Sequence, residues 1–225
     1  MELYADGPTL NEIDSLNVDG YTFNPSLYKK LGATDYLNFS KKISTKVKSK
    51  PISIEVIGDS YDECLRQGKI INDIADNIWV KIPITYTDGR STKKLIEKLV
   101  NENVKLNITA IFTIDQINEI IEIVKDSKSI LSIFSGRIYD IGHDAKIKFT
   151  EMSNLIHSNS NCKSLWASCR MAYDFITAKE ATADIITMSP SLITKMKLFD
   201  KSPIEYSRDT VINFYEDAKK AGFKI

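Results

Sequence analysis

Cysteine is scarce. Cys64, Cys162 and Cys169 are the only three among 225 residues, and no two form a CxxC pair. Odd, widely spaced thiols supply neither a disulfide framework nor a zinc site, and they suit a reducing compartment. They read as small buried hydrophobes, since no histidine follows them at a recognised catalytic spacing. Histidine is scarcer still: His143 and His157 are too few and too isolated for a zinc or non-haem iron centre. Neither GxGxxG nor the GxxxxGK phosphate loop occurs, so a nucleotide cofactor has no support. An excess of one charge is also missing. Thirty Lys+Arg balance thirty Asp+Glu, which removes any broad attraction to nucleic acid or an anionic membrane. No apolar run approaches the roughly 18 residues of a membrane-spanning helix. The opening MELYADGPTL lacks the basic and then apolar pattern of a secretory leader. A cytoplasmic protein with no nucleic-acid or membrane partner is expected.

What remains is a chain with 43% hydrophobic and 27% charged residues, the balance of a folded domain. Short β-branched runs alternate with longer amphipathic stretches, the pattern of repeated strand–helix units on a parallel sheet. Eight strands are expected, at residues 2–6, 19–23, 52–57, 78–84, 105–112, 130–134, 164–168 and 184–188. Helix-like stretches fall between them at 61–75, 92–101, 115–125, 145–158 and 171–178. Eight units of roughly 25 residues predict a single (β/α)8 TIM barrel over 1–225, with an open doubly wound sheet as the alternative. An extra C-terminal helix is expected at about 207–220, carrying Val211, Ile212, Phe214 and Tyr215. No Gly- or Pro-rich linker divides the series. The lysine-rich segment 41–50 reads as a solvated helix end and linker rather than a nucleic-acid patch, because no aromatic platform accompanies it.

The informative residues are polar ones inside apolar strands. Lys81 sits within Ile78-Trp79-Val80-Lys81-Ile82-Pro83-Ile84. Desolvation there would make a neutral, nucleophilic amine suited to Schiff-base chemistry, and the plainer alternative is a lysine snorkelling from a strand end. Glu55 stands in the third run, and Asn107 and Thr109 share one face of the fifth. Asp6 closes the first strand, Asn24 follows the second, Ser132 lies in the sixth, and Ser168 and Arg170 close the seventh. Polar residues near so many C-terminal strand ends point to the end of a barrel where active sites assemble. Arg137, Ser168 and Arg170 would suit a phosphate, unless the arginines instead pair with Asp140 or Asp174.

These residues carry a family resemblance. Gly20-Tyr21-Thr22-Phe23-Asn24-Pro25-Ser26-Leu27 resembles the GVTTNPSL motif of transaldolases, and Trp79-Val80-Lys81-Ile82-Pro83-Ile84-Thr85 resembles their Schiff-base strand. The likeness continues through Leu106-Asn107-Ile108-Thr109, Phe134-Ser135-Gly136-Arg137-Ile138 and Ala167-Ser168-Cys169-Arg170. The size is similar to the short transaldolase and fructose-6-phosphate aldolase branch.

The resemblance implies a transferase that moves a dihydroxyacetone unit from a ketose phosphate to an aldose phosphate, without metal or organic cofactor. Lys81 would form the Schiff base, Asp6 would shuttle the hydroxyl proton, and Glu55 and Thr109 would hold the relay water. Asn24, Asn107 and Ser132 would bind the donor, and Arg137, Ser168 and Arg170 its phosphate. Glu55 and Phe134 match the transferases, whereas the aldolases carry Gln and Tyr at those positions. The alternatives are a fructose-6-phosphate aldolase and a non-catalytic sugar-phosphate binding barrel. A role in the pentose phosphate pathway and a homo-oligomer, assembled through the C-terminal helix, are further implications of the resemblance.

Overall fold

The apolar runs become parallel strands that close on themselves. The computed structural model describes residues 1–225. Its strands are β1 (Glu2–Asp6), β2 (Gly20–Thr22), β3 (Ile52–Glu55), β4 (Ile78–Pro83), β5 (Leu106–Ile111), β6 (Ile130–Ile133), β7 (Lys163–Trp166) and β8 (Ile185–Met188). Neighbours pair in sequence order, and β8 returns to β1 with Ile185 beside Glu2 and Ile186 beside Leu3. No sheet edge remains, which decides for the (β/α)8 barrel over the open sheet.

The helices are α1 (Leu10–Ser15), α2 (Pro25–Lys30), α3 (Tyr36–Val47), α4 (Tyr61–Asn72), α5 (Lys93–Asn101) and α6 (Ile114–Val124), then α7 (Ser135–Asp140), α8 (Ala145–Asn159), α9 (Asp174–Glu180), α10 (Pro190–Lys195) and α11 (Pro203–Ala221). In α6, Thr113 and Gln116 cap each other's backbone N–H, and Ile117, Ile120, Ile121 and Val124 form one buried stripe. In α8, Phe149, Met152 and Ile156 repeat that spacing. Such stripes cover the outward-facing strand residues, including Val80, Ile82, Ile108 and Leu131. Each large apolar side chain buried this way contributes about 1.5–3 kcal/mol.

A second apolar layer fills the barrel itself. Tyr4, Ile130, Leu165, Ala167 and Ile185 pack together inside, with Trp79 and Phe134 against them. The Tyr4 ring lies so near Gly20 that a Cβ there would meet it at 2.6 Å. Two residues further along the strands, where alternation returns to the interior, the side chains turn polar: Asp6 after Tyr4, Lys81 after Trp79, Ser132 after Ile130, Thr187 after Ile185. The polar half of the barrel thus rests on a dry plug.

Strand ends shift by one or two residues, as where β7 stops at Trp166 rather than at residue 168, and three helical segments also differ from the sequence expectations. The lysine-rich segment belongs mostly to α3, which buries Ser40, Ile43, Ser44 and Val47 on one face. The helix expected from residue 171 begins at Asp174, because the Asp174 carboxylate accepts the backbone N–H groups of Arg170 and Met171 and holds that stretch as a loop. The C-terminal helix starts at Pro203, a residue pre-set for the first turn, and it has no buried residue.

Candidate active site

Lys81 reaches the barrel interior from the middle of β4 and is 5% exposed. Its Nζ lies 3.0 Å from Glu55 Oε2 and donates to the carbonyl oxygen of Phe23 at 3.2 Å. The pairing follows from register, since Glu55 on β3 lies directly beside Lys81 on β4. Thr109 sits on β5 beside Pro83, and its buried Oγ1 has no hydrogen-bond partner. An orphaned hydroxyl facing a cavity is a place for a water or a substrate oxygen. The next residue, Ala110, has φ 59°, and the β5–β6 register shifts between Ile108 and Ile111. This bulge locally breaks the ladder beside Thr109, a way barrels aim a side chain at a site.

Asp6 faces Lys81 from the end of β1. Its Oδ1 accepts from Thr22 Oγ1 at 2.7 Å, and Thr22 Oγ1 in turn lies 2.6 Å from Thr187 Oγ1. Burial pushes the Asp6 carboxyl above the ordinary carboxylate range, opposed by the Lys81 ammonium and the Thr22 hydrogen bond and reinforced by Glu55. Beside this group, Ser132 Oγ donates to Asn107 Oδ1 at 2.7 Å, and Asn107 Nδ2 donates to Ser53 Oγ at 2.9 Å. Asn24 Oδ1 caps α2 by accepting from Leu27 N, leaving its amide N–H groups free.

The other wall carries the arginines. Arg137 lies on α7, its guanidinium carbon 5.2 Å from the centre of the Phe134 ring, and it makes no ion pair. Arg170 instead directs Nε to the two Asp140 carboxylate oxygens at 3.0 and 3.1 Å, with a further contact from its terminal nitrogen. Asp174, buried, pins the Arg170 backbone. The pairing foreseen as an alternative for the arginines is therefore present at Arg170 and absent at Arg137. Ser168 adopts φ 67°, uncommon for a residue with a Cβ. These groups line or back a cavity of about 190 Å³ at the C-terminal end of the barrel.

A family model described as Transaldolase/Fructose-6-phosphate aldolase matches residues 3–225. The chain belongs to this family. It is similar to a Bartonella henselae protein named "Probable transaldolase", 30% identical over 230 residues and 100% of both chains. A Brucella melitensis protein of the same name is 32% identical over 231 residues, again 100% of both. A crystal structure of a Sinorhizobium meliloti protein in an open loop conformation superposes over 88% of this chain with a TM-score of 0.62 and 10% identity, which speaks for the barrel alone. The chain spans about half of that structure, 53%.

In this transaldolase-family barrel, nine of the eleven residues singled out from the sequence line one cavity: Asp6, Asn24, Lys81, Thr109, Ser132, Phe134, Arg137, Ser168 and Arg170. Glu55 and Asn107 stand one contact behind, reaching it through Lys81 and Ser132. Sequence reasoning missed Thr22, Thr187 and Ser53, although each is a polar residue in a short apolar strand and carries the signal that marked Lys81. Cys169 also lines the cavity and donates to the Thr187 carbonyl at 3.2 Å, so it is not simply core. Burial, aided by Asp174 and Asp6, pushes its thiol well above the usual range, which keeps it unreactive. No three His, Cys, Asp or Glu side chains converge on a metal position. No helix is long and apolar enough to cross a membrane.

Proposed function

We propose that the protein transfers a dihydroxyacetone unit between sugar phosphates through a Schiff base on Lys81. The observation that carries this reading is the buried Lys81 amine, 3.0 Å from Glu55, facing Asp6 and the unpartnered Thr109 hydroxyl across one cavity. Lys81 must lose a proton before it attacks, and Glu55 is placed to take it.

The neutral amine adds to the ketose carbonyl, and loss of water gives an iminium. Water leaves and returns through Glu55 and Thr109. Asp6, as carboxylate, removes the proton from the hydroxyl on the far carbon of the bond to be cut. That carbon–carbon bond breaks, its electrons move into the iminium, and an aldose phosphate departs. The three-carbon enamine left on Lys81 attacks an acceptor aldehyde, Asp6 returns its proton to the new alkoxide, and water hydrolyses the iminium. Asn24 and Ser132 hold the donor hydroxyls, and Asn107 orients Ser132 from behind. Arg137, Arg170 and the Ser168 hydroxyl hold the phosphate, as forked donors do.

Transfer is favoured over simple aldol cleavage because Phe134, packed 5.8 Å centre to centre from the Phe112 ring, offers no hydroxyl to steer the water that would quench the enamine. The test measures free dihydroxyacetone released from fructose 6-phosphate with and without erythrose 4-phosphate. Transfer should outpace release, and Phe134→Tyr should shift the ratio toward release. Rapid release by the wild type, unaffected by acceptor, favours the aldolase. A cytoplasmic role in pentose phosphate metabolism fits this chemistry. Helix α11, which buries none of its residues in the barrel, supports assembly into a homo-oligomer.

A further inference from the structure

We propose that Thr187, on β8, is a positioning residue for Asp6 and acts through Thr22. The proposal rests on the transaldolase reading, in which Asp6 moves the hydroxyl proton. The Asp6 carboxylate has one side-chain hydrogen-bond partner, the Thr22 hydroxyl at 2.7 Å. A hydroxyl has a single hydrogen, and an ionised carboxylate only accepts, so the Thr22 hydrogen is committed to Asp6. The 2.6 Å contact between the two threonine hydroxyls then has one consistent sense: Thr187 donates to Thr22. The result is a directed chain, Thr187 to Thr22 to Asp6, across three adjacent strands, with β1 between β8 and β2.

Both threonines are buried, and both border the cavity. Each link polarises the next, so the Thr187 hydroxyl strengthens the bond that Thr22 makes to the charged form of Asp6. The other charged or titratable groups facing Asp6 are Lys81 from β4, Glu55 from β3 and Cys169 from the segment after β7. They set the local field, but none fixes the carboxylate rotamer by a hydrogen bond. A general base displaced by about 1 Å can lose on the order of a hundredfold in rate, so the anchoring of this rotamer matters to the reaction.

Thr187→Val keeps the side-chain shape and removes the hydroxyl. In the full-length protein it should lower kcat for transfer from fructose 6-phosphate to erythrose 4-phosphate roughly tenfold, the upper scale of one neutral hydrogen bond. KM should stay within about twofold, because no phosphate or donor contact is touched. The acid limb of the kcat–pH profile should move to higher pH, since the ionised form loses support. Thr187→Ser should restore both rate and profile. Thr187→Cys, a weaker donor of similar size, should shift both in the direction of Val and serves if Val does not fold. Wild-type kcat and profile in the Val or Cys variant would overturn the proposal. Borohydride trapping of the ketose on Lys81 separates the two levels. An adduct in wild type and Thr187→Val alike keeps the Schiff-base reading in place whatever the kinetics show, whereas no adduct in wild type removes that reading itself.

Discussion

Gly136 and Ser168 meet backbone to backbone: a Cβ at Gly136 would stand 1.6 Å from the Ser168 carbonyl oxygen. Only glycine lets the first turn of α7, which carries Arg137, lie against the loop that carries Arg170. The Gly136 N–H also donates to the Ala167 carbonyl at 3.3 Å. The two arginines therefore face one cavity because of a residue that contacts no substrate.

Gly136→Ala should push these segments apart. Overpacking of this kind costs typically ~1–3 kcal/mol, a loss of roughly 2–12 °C in melting temperature for a chain of this size. The Michaelis constant for a phosphorylated donor should rise at least about tenfold. Thermal melts and steady-state kinetics read both, and an unchanged Michaelis constant would separate this packing from phosphate binding.

The arginines should not contribute equally. Asp140 already occupies part of the Arg170 guanidinium, whereas Arg137 has no carboxylate partner. Charge-assisted hydrogen bonds are worth ~1.5–3 kcal/mol each. Arg137→Ala should thus raise the Michaelis constant for fructose 6-phosphate by roughly tenfold or more, and by a larger factor than Arg170→Ala. Inorganic phosphate should compete less well in both. If Arg170→Ala had the larger effect, the Asp140 pair would have to open when substrate binds.

The Asp6 carboxyl titrates above the ordinary carboxylate range because burial disfavours its charge. The sign follows: the base is lost as pH falls through this raised value, so activity should decline at a higher pH than an ordinary aspartate would impose. Below it the protonated, neutral group is the form that burial favours, so Asp6 does not promote acid unfolding. A kcat–pH profile should show this acid limb in wild type and lose it in Asp6→Asn, whose residual rate should be lower by about 10²–10⁴-fold. An acid limb persisting in that variant would belong to another group.

Much of this was legible in the sequence because barrel physics leaves strong marks. A lysine in a six-residue strand of otherwise apolar side chains is costly unless the interior is polar there, and Lys81, Asn107 and Ser132 all carry that mark. The family motifs then assigned roles that spacing alone left open. Thr22 and Thr187 escaped because threonine sits comfortably in strands, so its hydroxyl is a weaker anomaly than a charge, and Ser53 was overshadowed by Glu55 in the same short run. The start of α9 was hidden because Asp174 caps a loop through space, with nothing periodic to reveal it. In α3, lysines on the wet face masked the apolar positions Tyr36, Phe39, Ile43 and Val47. The Arg170–Asp140 pair spans 30 residues, and the sequence offered it only as one of two choices.

Helix α11 leaves Val211, Phe214 and Tyr215 more than 60% exposed, an apolar stripe beyond what a solitary helix carries without a partner. Light scattering at micromolar concentration should give a multiple of 25.5 kDa. Removal of residues 203–225 should lower the assembly state, and a full-length monomer would contradict the homo-oligomer.

The central claim is the covalent role of Lys81, and mass mapping after borohydride reduction in the presence of fructose 6-phosphate tests it most directly. A single sugar-derived adduct is predicted on the peptide containing Lys81, absent when Lys81→Ala is treated in the same way and accompanied there by loss of transfer activity. An adduct on a different lysine, or full activity in Lys81→Ala, would contradict the account.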